Sequence, residues 1–308
     1  MKGLFLMVRK CILVVLFTFF SFVQTVLADQ GFVQRVVKFE TDDGMQVPAI
    51  LTYPTSGIDP YTAAFIHYPD GMSAHPVDSD GVPRFFAEKA AEAGYTSISI
   101  LSRHAGYYHS RPLEEGRYDI KAAVDFLEEY GASDVILTGQ GLGTVRTNMY
   151  MTEAKDARVK AVMHFSPIRD MPEWLESEIG GASYRALTTQ ANQMIADDQG
   201  SKLVSFRFLK WWGPEAASRN SEMYGKVKAP MFIASGDKDG TVNVEHLKSL
   251  KSGRVKTIIY TGRGHSFVQD REQVVEDALD WVTGIGYGVR PKVNIQLVDA
   301  TTKDGRVL

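Results

Sequence analysis

Short apolar segments alternate with longer amphipathic segments along most of the chain, and this alternation limits the possible folds more than any other feature. Four segments are rich in apolar or β-branched residues, as buried strands are: Ala63 to His67, Thr96 to Leu101, Val135 to Thr138 and Val159 to Phe165. The segments between them follow a helical period. This pattern predicts an α/β fold with a mostly parallel sheet and helices on both faces.

The sheet is expected to open with a hairpin. Val33 to Phe39 and Val47 to Tyr53 both alternate between apolar and polar residues. The segment from Thr41 to Gly44, which contains two aspartates and a glycine, separates them. Two alternating runs joined by such a short polar segment predict an antiparallel pair of strands.

The strand–helix rhythm is interrupted over residues 168–228, which are helix-favouring and contain Trp174, Trp211 and Trp212. Because this stretch lies between two predicted core strands, we expect it to form a helical cap. The rhythm resumes with a strand at Met231 and ends with a helix near Trp281. The expected divisions are a signal segment (1–28), a strand–helix core (29–167 and 229–283), a cap (168–228) and a C-terminal tail (284–308).

The first residues have the order of a secretory signal peptide. Lys2, Arg9 and Lys10 precede an apolar run from Cys11 to Val23, and Ala28 is a small residue at a plausible cleavage point. We therefore expect cleavage after Ala28 and a periplasmic or secreted mature protein. The alternative is a retained membrane anchor, for which the run is short, since a bilayer requires about 20 apolar residues.

Composition excludes several classes of function. The formal net charge is −3, and acidic and basic residues are interspersed, so nucleic-acid binding has no electrostatic support. Cys11 is the only cysteine and lies in the signal segment, so the mature protein has no disulfide or cysteine–metal site. No pair of histidines has the spacing of a zinc site, and we expect neither a metal nor a cofactor. The oligomeric state is left open.

A glycine-rich turn follows the predicted strand that ends at Thr138. Gly139, Gly141 and Gly143 alternate with Gln140 and Leu142, and a helical segment follows. The glycines indicate a sharp turn that leaves no room for side chains. A phosphate-binding loop is the competing interpretation, but it would require a lysine near the helix start or the pattern G-x-G-x-x-G, and neither is present.

Two further predicted strands are followed by residues whose side chains could take part in catalysis. Asp237 and Asp239 follow the strand that begins at Met231, and either could serve only to shape the turn, since aspartate favours turns. His265 follows a strand that ends near Tyr260 and lies next to Gly264. A histidine in such a loop could also be simply exposed.

The ordered set of the glycine turn, Asp239 and His265 resembles the α/β-hydrolase superfamily, whose nucleophile stands at the centre of a G-x-S-x-G turn. Two other segments, Tyr68 to Met72 and Asp119 to Leu127, look like those of its esterase and dienelactone-hydrolase branches. The likeness extends over the mature chain to about Trp281. It implies the α/β-hydrolase fold.

The resemblance also implies a role for each site residue. Asp239 would orient His265, and His265 would activate a nucleophile. The backbone N–H of Leu142, together with one from Gly71 or Met72, would bind an oxyanion. The nucleophile position, however, is held by Gly141, and without a hydroxyl or thiol there no acyl-enzyme can form.

Residues outside this set predict a ligand only weakly. Arg103 and Tyr107 lie in a loop that follows a strand, where ligand contacts are common in such sheets, although a solvated loop explains them equally well. The tryptophans of the cap favour a small apolar or aromatic ligand, or they only pack the cap onto the core.

Three functions remain open from the sequence. The first is a ligand-binding pseudohydrolase, or a very weak hydrolase. The second is a hydrolase, lyase or isomerase that uses the Asp239–His265 pair as a general base on a small carbonyl or ester compound. The third is an inactive form of a serine carboxylic-ester hydrolase in which Gly141 has replaced the serine.

Overall fold

The computed structural model describes residues 31–71, 82–105, 111–197, 202–250 and 252–289. The predicted signal segment and the part of the tail from residue 290 onward lie outside these ranges.

The described strands form one layer in which most neighbouring strands are parallel. Only the first two strands run against their neighbours, and the rest run parallel to one another, which confirms the predicted fold class. The order across the sheet is β1-β2-β4-β3-β5-β6-β7-β8. The strands are β1 (Phe32–Glu40), β2 (Gln46–Pro54), β3 (Ala64–Tyr68), β4 (Thr96–Ile100), β5 (Val135–Gln140), β6 (Val159–Phe165), β7 (Met231–Gly236) and β8 (Val255–Tyr260).

Helices connect the strands and cover the layer. A short 3-10 turn, Leu113–Glu115, precedes the second helix, and a π-helical turn, Thr283–Tyr287, follows the last. None of the helices within the described ranges is long and apolar enough to span a bilayer. The helices are α1 (Val82–Glu92), α2 (Gly116–Glu129), α3 (Gly143–Glu153), α4 (Met171–Ile179), α5 (Gly181–Ala196), α6 (Lys202–Trp212), α7 (Asn220–Tyr224), α8 (Val244–Ser249) and α9 (Arg271–Val282).

Because side chains alternate between the two faces of the central strands, the sheet has an apolar core on each face. Successive side chains of a strand point to opposite faces, so Ile136 and Leu137 of β5 belong to different apolar clusters. On one face the cluster includes Val124 of α2, and on the other it includes Phe86 of α1 and Val274 of α9. Helices therefore cover both faces, as the sequence predicts.

Four helices, α4 to α7, lie between β6 and β7. Trp211 of α6 is fully buried and packs in a cluster with Leu142, Val145 and Met149, which belong to the turn after β5 and to α3. Trp211 therefore contributes to the packing of these helices on the core.

Asn220, at the start of α7, joins the inserted helices to the core by hydrogen bonds. Its side-chain amide donates to Thr144 Oγ1 and to the carbonyl of Ile168, both at 2.9 Å, and accepts from Asn148 Nδ2 at 3.0 Å. Asn220 and Asn148 are both buried. Buried polar groups that lose such partners destabilise a fold because water cannot replace them.

We expect Asn220→Ala to lower the free energy of unfolding by about 1–3 kcal/mol, since it leaves buried polar groups of α3 without a partner. Urea denaturation followed by circular dichroism measures the change. Gln193→Ala, on the exposed side of α5, is the matched control and should change stability by less than about 0.5 kcal/mol. Equal stability of the two variants would contradict the bridging role of Asn220.

Candidate active site

The turn between β5 and α3 lies at the carboxyl edge of the sheet, and its geometry requires glycine. Gly141 stands at its tip with a φ of +51°, a conformation that side-chain-bearing residues rarely adopt. A Cβ on Gly143 would lie 2.6 Å from the carbonyl oxygens of Tyr68 and Pro69. The end of β3 therefore packs directly against the turn, and only glycine permits this approach.

The carboxylate of Asp70 fills the space in which a side chain of residue 141 would lie. A Cβ built on Gly141 falls 2.5 Å from Asp70 Oδ1 and 2.6 Å from Oδ2. These separations are far below any van der Waals contact. The residue that replaces the missing nucleophile in space thus comes from the loop after β3 rather than from the turn itself.

The two predicted oxyanion donors both serve this carboxylate. The backbone N–H of Leu142 donates to Asp70 Oδ1 at 3.1 Å, and the N–H of Gly71 also stabilises the charged form of Asp70. The groups that the sequence assigns to an oxyanion hole therefore hold a carboxylate supplied by the protein.

His265 lies between two carboxylates. Its Nδ1 is 2.7 Å from Asp239 Oδ2, and its Nε2 is 3.0 Å from Asp70 Oδ2. The Asp239 side chain is almost fully buried, whereas those of Asp70 and His265 are 16% and 28% exposed. The open end of the Asp70–His265–Asp239 array therefore lies at Asp70 and His265, where a ligand could reach it.

Neighbouring residues hold the array in place. Thr241 donates to Asp239 Oδ1 through its backbone N–H at 2.9 Å and its hydroxyl at 2.7 Å. Ser166, at the end of β6, donates its hydroxyl to the carbonyl oxygen of His265 at 2.7 Å. The loops after β3, β6, β7 and β8 thus meet at one edge of the sheet, as parallel strands require.

The charges of the array stabilise one another. Burial alone would lower the pKa of His265, but the hydrogen bonds and charges of Asp239 and Asp70 outweigh it and raise the pKa to about 10. Burial alone would raise the pKa of Asp70 and of Asp239, but the contacts with His265 outweigh it and lower both pKa values. At neutral pH the array is therefore a carboxylate, an imidazolium and a second carboxylate.

The structure brings together Gly141, Leu142, Gly71, Asp239 and His265 of the predicted site. Met72 and Tyr107 lie outside the described residues. Within the described ranges, no cluster of three or more histidine, cysteine, aspartate or glutamate side chains is arranged to hold a metal ion.

Arg103 requires a correction, because its side chain does not serve as a ligand contact. It is fully buried, and its guanidinium pairs with Asp119 Oδ1 at 2.7 Å and Asp43 Oδ2 at 2.6 Å. The position after a strand suggested a ligand contact, but two carboxylates that are distant in the sequence already satisfy the charge.

Sequence reasoning missed Asp70. It follows Tyr68-Pro69 directly after β3 and precedes a glycine, so it has the form of an ordinary turn residue. The available signal was a carboxylate at the same edge of the sheet as the vacant nucleophile position at Gly141.

Comparison with solved structures establishes the fold. No protein-family model and no curated protein matches the chain. The chain has the α/β-hydrolase fold of three solved esterases. The Pyrococcus furiosus esterase Pf2001 is 17% identical (TM-score 0.58, covering 83% of this chain and 92% of that one). Est1E of Butyrivibrio proteoclasticus with bound ferulic acid is 16% identical (0.58, 80% and 98%). The acetyl xylan esterase of Paenibacillus sp. R4 is 15% identical (0.59, 82% and 85%).

The clash between a side chain at position 141 and Asp70 can be tested by introducing a serine nucleophile at that position. Gly141→Ser alone should not react with a fluorophosphonate probe, because the new side chain collides with the Asp70 carboxylate. Asp70→Ala with Gly141→Ser should react, because it frees both the space and the N–H of Leu142 beside His265. Intact-mass spectrometry measures the adduct, with Asp70→Ala alone as control. A labelled Gly141→Ser single variant would contradict the described packing.

The raised pKa of His265 also predicts how stability depends on pH. A folded-state pKa of about 10 against an ordinary value of 6.5 means that the stabilisation is complete below 6.5 and is lost as the pH rises through 10. Urea denaturation at pH 7 and pH 10 should therefore show a larger loss for the wild type than for His265→Gln. Equal losses would mean that the imidazolium does not stabilise the fold.

Proposed function

We propose that this protein is a hydrolase that reacts through the carboxylate of Asp70 instead of a serine. One observation supports this best: Asp70 lies in the nucleophile's place, with Leu142 N–H on one oxygen and His265 on the other. A protonated histidine that can act as a general acid, a buried carboxylate and two N–H donors thus surround a group that can itself attack a substrate.

The geometry favours attack on a saturated carbon over attack on an ester carbonyl. An ester needs free N–H donors for its developing oxyanion, and Asp70 already accepts from Leu142 and Gly71. A carbon that bears a leaving group needs none. Asp70 Oδ2 forms the new O–C bond, the bond from carbon to the leaving group breaks, and the departing group takes the bonding pair. An alkoxide also takes a proton from His265, whereas a halide leaves as the anion and His265 releases its proton to solvent. The product is an alkyl ester of Asp70.

The second step returns the enzyme to its starting state. Once Asp70 is esterified, it no longer has the charge that helps to raise the pKa of His265. The neutral imidazole can then take a proton from water while the oxygen of that water attacks Asp70 Cγ. The N–H groups of Leu142 and Gly71 stabilise the oxyanion on Oδ1. The alcohol leaves with a proton, and the carboxylate is restored.

A non-catalytic, ligand-binding pseudohydrolase is the second candidate. It is favoured by the mutual saturation of Asp70, His265 and Asp239, which leaves Leu142 N–H without capacity for a substrate carbonyl. In either case we propose a small molecule as the ligand. The signal-like segment 1–28 supports export, so we propose that the protein acts outside the cytoplasm.

A serine hydrolase inactivated by a single replacement fits the geometry less well. A serine side chain at position 141 would overlap the Asp70 carboxylate, so at least two positions differ from an active serine site. The Asp239–His265 pair acting alone as a base also fits less well, because the imidazole is already protonated at neutral pH.

Turnover in ¹⁸O-water tests the proposed route. Styrene oxide, 1-bromobutane and p-nitrophenyl acetate are incubated with the wild type, and the peptide that contains Asp70 is analysed by mass spectrometry. We expect turnover of at least one of the first two and ¹⁸O in Asp70, because water attacks Cγ. Asp70→Asn should lower the rate by about 10³-fold or more. Asp237→Asn, in the neighbouring loop, is the matched control and should retain activity.

Each other outcome selects a different function. Turnover without ¹⁸O in Asp70 means that the carboxylate acts as a base on water rather than as a nucleophile. Hydrolysis of the acetyl ester alone contradicts the preference for a saturated carbon. Absence of turnover of all three compounds by the wild type favours the pseudohydrolase.

A further inference from the structure

Arg146 of α3 is a buried cation without a hydrogen-bond partner. The residue is 1% exposed, and none of its three nitrogens, Nε, Nη1 and Nη2, finds an acceptor in the part of the chain that the structure describes. A buried donor without an acceptor is costly, and a buried charge is more so. Burial lowers the pKa of Arg146 below the ordinary value of an arginine.

Arg103 provides a comparison within the same protein. Its guanidinium is equally buried, yet it pairs with both Asp119 and Asp43. The fold therefore supplies carboxylates to one buried arginine and none to the other. The difference indicates that no residue of the described ranges is the partner of Arg146, which leaves the guanidinium available for a ligand.

The surroundings of Arg146 leave its hydrogen-bonding capacity unused. Its Cζ lies over the ring of Tyr68 at 5.5 Å from the centroid and over that of Trp211 at 5.2 Å. Such cation–π contacts stabilise the charge, but they do not satisfy five N–H donors. Asp70 and Asp119 attract the cation through space, but their oxygens bind His265 and Arg103.

The position of the guanidinium connects it with the candidate active site. Tyr68 is two residues before Asp70, and Trp211 belongs to the inserted helix α6. Arg146 thus lies where the inserted helices meet the core, within electrostatic reach of Asp70. Of the two rings, Tyr68 belongs to the sheet and Trp211 to α6, so the side of α6 is the one from which a ligand would approach the guanidinium.

We infer that Arg146 binds the carboxylate of a small organic acid that enters between α6 and the core. A carboxylate is the acceptor that matches the planar fork of a guanidinium, because it takes two parallel N–H···O bonds. This inference names the ligand class of the proposed function, and rests on that function only for the reactive carbon that would face Asp70. Binding of the carboxylate itself requires no chemistry.

Binding of simple carboxylates tests the inference without any turnover. Formate, acetate and benzoate are titrated into the wild type at constant ionic strength by calorimetry and thermal shift, beside the neutral isosteres formamide, acetamide and benzamide. We expect at least one acid to bind saturably and its amide to bind at least about tenfold more weakly, because only the acid forms charge-assisted bonds.

Variants of Arg146 locate the site. Arg146→Met removes the charge while keeping an apolar stem, a change that buried positions often tolerate, and should weaken acid binding about 10- to 100-fold. Arg146→Lys keeps the charge but loses the fork, and should give an intermediate affinity. Arg117→Met, on the exposed face of α2, is the matched control and should bind as the wild type does.

The failure of this inference is separable from failure of the proposed function. Absence of saturable binding for all three acids, or equal affinity in Arg146→Met, overturns it even if Asp70 catalyses turnover. Conversely, Asp70→Asn should lower turnover by about 10³-fold or more and retain acid binding. Acid binding that is lost in Arg146→Met, without turnover of any compound by the wild type, supports the site and rejects the catalytic proposal.

Discussion

The imidazolium of His265 between two carboxylates is the interaction on which the candidate site depends. Asp70 and Asp239 follow different strands, and His265 follows a third, so these two ion pairs join three separate loops. Without the central positive charge the two acids would repel each other, and the burial of Asp239 would be costly. The raised pKa of His265 and the lowered pKa values of both acids express the same mutual stabilisation. The array therefore joins three loops and, in the proposed function, is also the reactive centre.

The absence of a side chain at Gly141 is a positive requirement of this arrangement. Asp70 can reach the imidazole only because residue 141 leaves its space empty, and only glycine readily adopts the φ of the turn without an energetic cost. The roles of the two loops thus differ from those in a serine hydrolase. The turn supplies the space and one N–H donor, and the loop after β3 supplies the carboxylate oxygen of Asp70. The donors that would stabilise a substrate oxyanion in a serine enzyme here bind a carboxylate of the protein.

The sequence predicts the sheet, the helices on both faces and the loops in which Asp239 and His265 lie, because these follow from local periodicity and from the order of strand ends. It does not predict Asp70, which lies 195 positions from His265 and replaces the nucleophile in space rather than in the chain. It also cannot separate Arg103 from Arg146. Both are arginines near predicted strands or turns, and only the folded chain shows that one has two carboxylate partners while the other has two aromatic rings.

The electrostatics of the whole site connect Arg146 with the chemistry proposed at Asp70. Asp70, Asp239 and protonated His265 together have a net charge of −1, which would repel an anionic ligand at short range. Arg146 brings the sum to zero, and its N–H groups have no other acceptor in the described structure. An acid whose carboxylate pairs with Arg146 can therefore approach Asp70 at little electrostatic cost. Esterification of Asp70 would then leave Arg146 and the ligand carboxylate as a matched pair, so the same contact can hold the ligand through both steps of the reaction.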